Sequence, residues 1–176
     1  MNVPSLINNF NVYNSGNGGD VLVGVSGEVE LPEFSALTDT IEGAGMLGEI
    51  EDPATGQFES MTVKIPFSNI YGDNSIFSIA HQNDAVSLTL RASEQVLRGD
   101  NGVTDYKSAR FVFRGRAKTV TPGSVQKGKK MEASVEIELN YVKIEFDGVE
   151  QLELDKLNSV YKVQGVDQLA SIKAQI

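Results

Sequence analysis

Period-two alternation of apolar and polar residues is the feature of this sequence that most restricts its fold. It is longest between Met131 and Phe146, where the odd-numbered residues up to Tyr141 are apolar or aromatic. Successive side chains of a strand point to opposite faces of its sheet, so the pattern predicts one long, half-buried strand. After Tyr141 the apolar residues move to even positions, which indicates a bulge, or a strand that leaves one layer and joins another. Such a strand would be roughly 50 Å long, more than a small domain needs, so part of it is expected to serve an assembly.

The same alternation predicts further strands along the rest of the chain. The segments are 21–31, 33–41, 58–67, 85–92, 109–121, 149–154 and the end of 155–163. Asp147-Gly148 is a strong signal for a two-residue turn between the long strand and the segment that follows it. One short helix is expected to begin within 72–75 and to end before Asn83, and the tail 165–176 is expected to be a second short helix or a docked tail. With 17 glycines and short apolar runs between turn residues, the chain is predicted to be mainly β.

The turn-rich segment PGSVQKGKK predicts a second hairpin, between 109–121 and the long strand. If this hairpin is antiparallel and centred near Gln126, the apolar odd faces of the two strands coincide. The charged side chains of the two strands then lie opposite each other, as Arg114 with Glu138 and Arg116 with Glu136. Each such pair would contribute a few tenths of a kcal/mol and would penalise slippage of the register.

Composition excludes several classes of functional site. The 176 residues include no cysteine, which excludes disulfides, thiolate metal sites and a cysteine nucleophile, and fits folding in a reducing cytosol. The single histidine, His81, leaves no multi-histidine metal site and is expected to be a capping or surface residue. No motif for nucleotide binding, serine hydrolysis, zinc or calcium is present. We therefore expect a protein that is not an enzyme and needs neither a cofactor nor a metal.

Charge and hydropathy restrict the partners. Lys and Arg number 15 against 24 Asp and Glu, and the net charge of -9 argues against a surface that grips phosphate backbones. No apolar run approaches the roughly 18 residues of a membrane helix, and the N-terminus lacks the basic start and apolar stretch of a signal peptide. We therefore expect an intracellular protein without stable membrane association.

Three segments stand out within what we expect to be a single domain, residues 1–176. Residues 1–20 are rich in Asn and Gly, which favours turns, but their apolar members suggest an N-terminal docking arm. Residues 165–176 form a C-terminal tail. Residues 43–57 form a long loop that either binds a partner through its apolar side chains or is a hairpin tip folded back on its own core. The candidate interface residues of this loop are Gly43, Gly45, Met46, Leu47, Ile50 and Pro53.

Carboxylates in the last third of the chain could in principle supply a glycosidase pair or a cation site. They are Glu136, Glu138, Glu145, Glu150 and Glu153. Their spacing is that of the polar face of a sheet, so a solvated or pore-lining face is the preferred interpretation.

Three long segments of the chain resemble one known family. They are SLINNFNVYNSGN followed by LVGVSGEVELPE, then IEGAGMLGEIEDPATGQFESMTVKIPF, and finally VEIELNYVKIEFDGVEQLELDKLNSVYKVQGVDQLASIK. This pattern is similar to the major tail tube protein of contractile-tailed bacteriophages and to the tube subunit of R-type phage-tail-like bacteriocins. The resemblance covers almost the whole chain and is weakest over 71–130.

The resemblance implies a small antiparallel β-barrel or sandwich with one flanking short helix and a long loop, assembled as hexameric rings that stack into a hollow tube. The implied partners are further copies of the chain, a contractile sheath, and terminator and baseplate or tip proteins, while DNA passes without specific binding. Such a protein lies in a virion tail or a bacteriocin particle after synthesis in the cytoplasm of the bacterial host. On this template the loop 43–57 reaches a neighbouring subunit or ring. The candidate lumen residues, on the polar faces of 58–67 and of the long strand, are Thr62, Lys64, Glu136 and Glu138.

A function of another class is also compatible with the residues. An acidic β-sandwich could bind a glycan or a cation and use the loop 43–57 as the rim of its site. Rings or tubes seen by electron microscopy would discriminate between the two functions.

Overall fold

Antiparallel strands dominate the structure, a computed structural model that describes the backbone of residues 1–176 and the side chains of 1–16 and 18–176. The strands are β1 Asn2–Asn14, β2 Asp20–Val21, β3 Ala36–Ile41, β4 Ile50–Phe58, β5 Thr62–Phe67, β6 Val86–Arg98, β7 Thr104–Thr121, β8 Ala133–Phe146, β9 Val149–Asp155, β10 Val160–Val163 and β11 Val166–Asp167. Turns of 3-10 helix lie at Ser15–Asn17 and Ile76–Ile79, and the helix α1 spans Ala170–Lys173. Strands hold 55% of the residues and helical turns 6%, which confirms the mainly β class. None of the helices in the described part of the chain has the length and apolar character needed to cross a membrane.

Most of the strands belong to one antiparallel sheet, in the order β11-β10-β9-β8-β7-β6-β1-β2, while β3 and β4 form a separate hairpin. The long strand β8 has β7 along one side. Its other side pairs with β5 over 133–138 and with β9 over 141–146. Between these two parts Asn140 is an extra residue in the ladder with β7, and the buried positions change there from Leu139 to Val142. The predicted change of apolar phase is confirmed, and a bulge and a change of neighbouring strand coincide at it.

The hydrophobic core lies on the inner face of β5, β6, β7 and β8. β5 and β8 place Val63 opposite Ile137 and Ile65 opposite Val135, and all four side chains are buried. The 3-10 turn Ile76–Ile79 adds two more buried isoleucines, which confirms the helical turn expected before Asn83. Burial of each of these aliphatic side chains contributes about 1.5–3 kcal/mol to the free energy of unfolding.

The N-terminal segment differs from its prediction. Residues 1–20 were expected to favour turns, but Asn2–Asn14 form β1, which pairs with β6 from Arg98 to Leu88. Register shifts between Pro4 and Leu6 and between Ile7 and Asn9 interrupt this ladder. A segment rich in Asn becomes a strand here because β6 offers it a complete row of backbone partners, and local propensity does not include that contribution.

The predicted strand 21–31 is wrong for most of its length. Only β2 and single bridges at Val25 and Glu30 are extended and paired. Gly24 adopts a φ of 84°, a left-handed conformation that turns the chain out of the ladder. Leu22 is buried whereas Val21, Val23 and Leu31 are exposed, so the odd residues do not form one continuous buried face, although Val25 and Val29 pack partly against the core.

The hairpin of β7 and β8 is confirmed, but the predicted cross-strand pairs are wrong. Arg116 faces Glu138, whereas Arg114 faces Tyr141 and Glu136 faces Thr119. A slip of two residues keeps every side chain on its own face, so parity alone cannot select among registers. The register is set instead by the connection between the strands, where the amide of Ser124 donates to the carbonyl of Met131 at 2.8 Å, and by bulges further along the ladder.

Candidate assembly surfaces

The hairpin of β3 and β4 projects from the sheet. Its strands pair as far as Ile41 and Ile50, and residues 42–49 connect them. At its base the ring of Phe58 packs edge-on against Tyr161, with ring centroids 5.1 Å apart. The base is therefore anchored on the sheet. We call residues 36–58 the acidic hairpin, because their only charged side chains are carboxylates.

The predicted loop 43–57 is only partly a loop, because residues from Ile50 onward belong to β4. Gly43, Gly45, Met46 and Leu47 lie in the connection, and Ile50 and Pro53 lie in β4. Every residue from 37 to 55 is exposed, so the interpretation of a tip folded back on its own core is wrong. β4 forms through its backbone pairing with β3, which a glycine-rich composition does not reveal. The role of these residues in an interface stays a prediction.

The acidic hairpin combines exposed apolar side chains with negative charge. Its exposed large apolar residues are Leu37, Ile41, Met46, Leu47 and Ile50. It also holds five carboxylates and neither Lys nor Arg, the carboxylates being Asp39, Glu42, Glu49, Glu51 and Asp52. Contiguous exposed apolar groups rimmed by polar ones are typical of protein interfaces.

A second exposed surface lies where β1, β6 and β7 extend together beyond the core. The side chains of Leu6 and Ile7 on β1 are 51% and 52% exposed, and Tyr106 on β7 is 61% exposed. Along Asn2–Asn11, the side of β1 away from β6 pairs with no other strand in the described part of the chain. An unpaired edge of this length can accept a strand from another chain.

The structure brings the four candidate lumen residues together on the polar face of β5 and β8. Thr62 lies opposite Glu138 and Lys64 opposite Glu136, and all four side chains are partly buried. The hydroxyl of Ser60 donates to the carboxylate of Glu138 at 2.7 Å. We call Thr62, Lys64, Glu136 and Glu138 the polar strip, and all of them except Glu138 line an open cleft of about 430 Å³.

Ion pairs of the polar strip link it to its surroundings. The ammonium of Lys118 lies 3.6 Å from the carboxylate of Glu138, and that of Lys64 lies 3.8 Å from Glu30. Both pairs are solvent-exposed, so each contributes little to the free energy of unfolding. Of the two pairs, only that of Lys64 and Glu30 lies along the cleft, where it balances charge.

Sequence reasoning missed a ladder of charged and aromatic groups further along the outer face of the sheet, across β7, β8 and β9. Lys143 lies 2.9 Å from Glu145 and 3.4 Å from Glu150, and Arg110 lies 3.3 Å from Glu145. The hydrogen bond from Lys143 holds the pKa of Glu145 below its ordinary value. In turn the Glu145 carboxylate raises the pKa of Lys143. The alternation after Tyr141 placed polar residues at odd positions of β8, but only the observed register shows which charges meet.

Tyr141 extends this ladder toward β10. The guanidinium of Arg114 lies 3.7 Å from the centre of its ring, and its hydroxyl donates to Glu153 at 3.1 Å. Burial, followed by the charge of Glu153, raises the pKa of Tyr141. Lys162 on β10 completes the row at 3.3 Å from Glu153. Four of the five carboxylates that were considered for a cation site are therefore paired with cations of the chain itself, and Glu136 is the exception. The described residues include no cluster of three or more His, Cys, Asp or Glu able to hold a metal.

Comparisons with known proteins match the whole length of this chain. The sequence model of the family described as phage tail tube protein FII matches residues 4–176. The chain is 25% identical, over 176 residues, to the tail tube protein of Escherichia phage P2, and the alignment covers 100% of this chain and 99% of the relative.

Proposed function

Because the chain belongs to the phage tail tube protein FII family, it is a structural subunit of a tail tube, and we propose that hexameric rings of it stack into a hollow conduit inside a contractile sheath. One observation supports this assembly most directly. The acidic hairpin holds Met46, Leu47 and Ile50 outside the core of its own subunit, exposed to water. Such side chains are stabilised only when another molecule covers them, and in a tube that molecule is a further copy.

The free edge of β1 supports closure of the ring. A neighbouring subunit can add a strand along Asn2–Asn11 and satisfy its outward amides and carbonyls. Leu6 and Ile7 lie on this strand and would be covered in the same step. In this proposal residues 1–20 are the docking arm that the sequence suggested, and the arm docks by pairing β1 with a strand of the neighbouring subunit.

We place the polar strip on the lumen. Its side chains are charged or carry a hydroxyl, and two of them, Lys64 and Glu138, are ion-paired. The strip therefore presents polar groups to a passing polymer, and an apolar surface to which the polymer would adhere is not formed by these side chains. The net charge of -9 per chain is summed around each ring, so DNA phosphates are repelled over roughly the 8 Å screening length of physiological salt. DNA then passes without specific binding, and the subunit performs no catalysis.

The remaining partners belong to the same particle. Outside the tube we propose a sheath protein, and at its ends a terminator and the baseplate or tip proteins. The particle is a phage tail or a bacteriocin, and its tube is assembled in the cytoplasm of the bacterial host.

Electron microscopy of the purified chain tests the proposal. We expect rings or tubes with a central hole, and class averages of end-on rings with sixfold symmetry. The hairpin variant Met46→Asp is the matched control, because it should remain folded and monomeric at the same concentration. A wild-type chain that sediments as a monomer at high concentration would contradict the proposal.

A further inference from the structure

The connection between β7 and β8 is a second projection whose charge is opposite to that of the acidic hairpin. This segment, residues 122–132, holds the three lysines Lys127, Lys129 and Lys130 and a single carboxylate, Glu132, and we call it the basic loop. Residues 122–130 are exposed throughout, including the apolar side chain of Val125, which is 90% exposed. The amide of Met131 donates to the carbonyl of Ser68 at 3.0 Å and ties the loop to the end of β5.

Neither projection neutralises its charge within the subunit. Over the described residues, the ion pairs at 4.0 Å or less include none of the three lysines of the basic loop and none of the five carboxylates of the acidic hairpin. Ion pairs do form elsewhere on the surface, for example between Lys107 and Asp147 at 2.8 Å. Both projections therefore keep their full charge available to another molecule.

The two projections lie at opposite ends of β5. Val25 forms a bridge to Phe67 at the end of β5, and Glu30 forms a bridge to Lys64, nearer to its start. The chain then continues into β3 and returns through β4 to Thr62, the first residue of β5. The acidic hairpin thus continues beyond the Thr62 end of β5. The basic loop is tied to the Phe67 end through Ser68. The opposite placement means that the two projections of one subunit do not meet, whereas those of two subunits placed end to end do.

From this arrangement we infer that the acidic hairpin of one copy docks on the basic loop of a second copy in the next ring. The inference rests on the proposed function and specifies its stacking contact. Glu49, Glu51 and Asp52 bring negative charge to the tip of the hairpin, with Glu51 and Asp52 on opposite faces of β4, and the three lysines lie beside this tip in the contact. Leu47 covers Val125. Because one surface of each subunit meets a different surface of the next, the contact is head-to-tail and repeats without closing, as a tube requires. Complementary charge sets the polarity and speeds the association of incoming rings.

Charge reversal and charge exchange test this contact. The loop variant Lys127→Glu/Lys129→Glu/Lys130→Glu and the hairpin variant Glu49→Lys/Glu51→Lys/Asp52→Lys should each raise the concentration needed for tubes to pellet by about tenfold or more. A variant that carries both sets of changes has its charges exchanged and should recover tubes. The loop variant Lys127→Arg/Lys129→Arg/Lys130→Arg keeps the charge and should assemble like the wild type. Melting of each unassembled variant, followed by circular dichroism, verifies that the subunit is folded.

The outcomes separate this inference from the proposed function. If the wild type forms tubes and the reversed loop variant forms them equally well, the contact is wrong and the tube function stands. If both single variants lose tubes and the exchanged variant does not recover them, the pairing of these two projections is also wrong. A wild-type chain that forms no tubes contradicts the proposed function itself. Raising the salt from about 0.15 M to 1 M shortens the screening length to about 3 Å and should weaken stacking of the wild type as well.

Discussion

Replacement of Leu47 by aspartate should abolish tube formation at the concentrations at which the wild type just assembles, and should leave the isolated subunit folded. Leu47 lies in the connection of the acidic hairpin, and its side chain is fully exposed in the subunit. The subunit therefore gains no burial energy from this residue. All of the effect is expected in the assembly, where the proposed contact covers it.

The magnitude follows from the exposed area of one leucine. Burial of a leucine side chain contributes about 1.5–3 kcal/mol, and each 1.4 kcal/mol changes an association constant about tenfold. Loss of that burial alone raises the concentration needed for assembly by roughly 10- to 100-fold, and desolvation of the new carboxylate adds to it. In the monomer a surface substitution changes the free energy of unfolding by about 0.5 kcal/mol or less, so the melting temperature moves by roughly 1–2 °C.

Sedimentation and electron microscopy measure the assembly, and circular dichroism measures the melting of the unassembled subunit. Leu47→Met retains an apolar side chain of similar volume and should assemble like the wild type. Ile65→Ala is the contrasting core variant, since Ile65 is 0% exposed and its truncation should cost about 2–5 kcal/mol of stability. A large fall in the melting temperature of Leu47→Asp would refute the reasoning, because it would place Leu47 in the core of its own subunit.

Two further predictions concern the subunit itself, measured at concentrations too low for assembly. Gly115→Ala should lower the free energy of unfolding by about 1–3 kcal/mol in urea titrations, because an added Cβ would overlap the carbonyl oxygen of Glu138 beside the bulge. An unchanged urea midpoint would contradict this prediction and would show that the ladder between β7 and β8 can relax. Glu145→Gln should make the free energy of unfolding fall less steeply as the pH is lowered into the acid range. The Lys143 ammonium lowers the pKa of Glu145, so the stabilisation by this pair is complete above the ordinary carboxyl pKa of about 4.5 and is lost as the pH falls through the lowered pKa of the folded state. If the free energy of unfolding of the variant and of the wild type falls equally steeply at acid pH, this role of Glu145 is contradicted.

The sequence predicted correctly those strands, turns and helices whose signal lies in their own few residues. The alternation of β8 marked its buried face and the position at which the phase changes. Asp147-Gly148 marked the turn from β8 to β9, and both residues adopt positive φ, at 52° and 80°, as a two-residue hairpin turn requires. The short C-terminal helix is also present, at Ala170–Lys173.

Features that depend on distant partners were not predictable in the same way. β1 is a strand because β6 lies beside it, despite a composition that favours turns. The polar strip was identified residue by residue from alternation, but the direct opposition of Lys64 and Glu136 required the pairing of β5 with β8. The ladder from Arg110 to Lys162 could not be anticipated, because it crosses four strands whose relative register the sequence does not specify.

The sequence by itself determined the class of the protein, because alternation with period two, glycine-rich turns and the absence of cysteine are properties of the chain that no tertiary contact can change. It also carried the family resemblance that the comparisons confirm. Only the tertiary structure decided that residues 36–58 project as a hairpin away from the core, and that the basic loop lies at the other end of β5. The physical reason is that register and projection depend on backbone hydrogen bonds between segments far apart in sequence, and a slip of two residues leaves the apolar pattern of each strand unchanged.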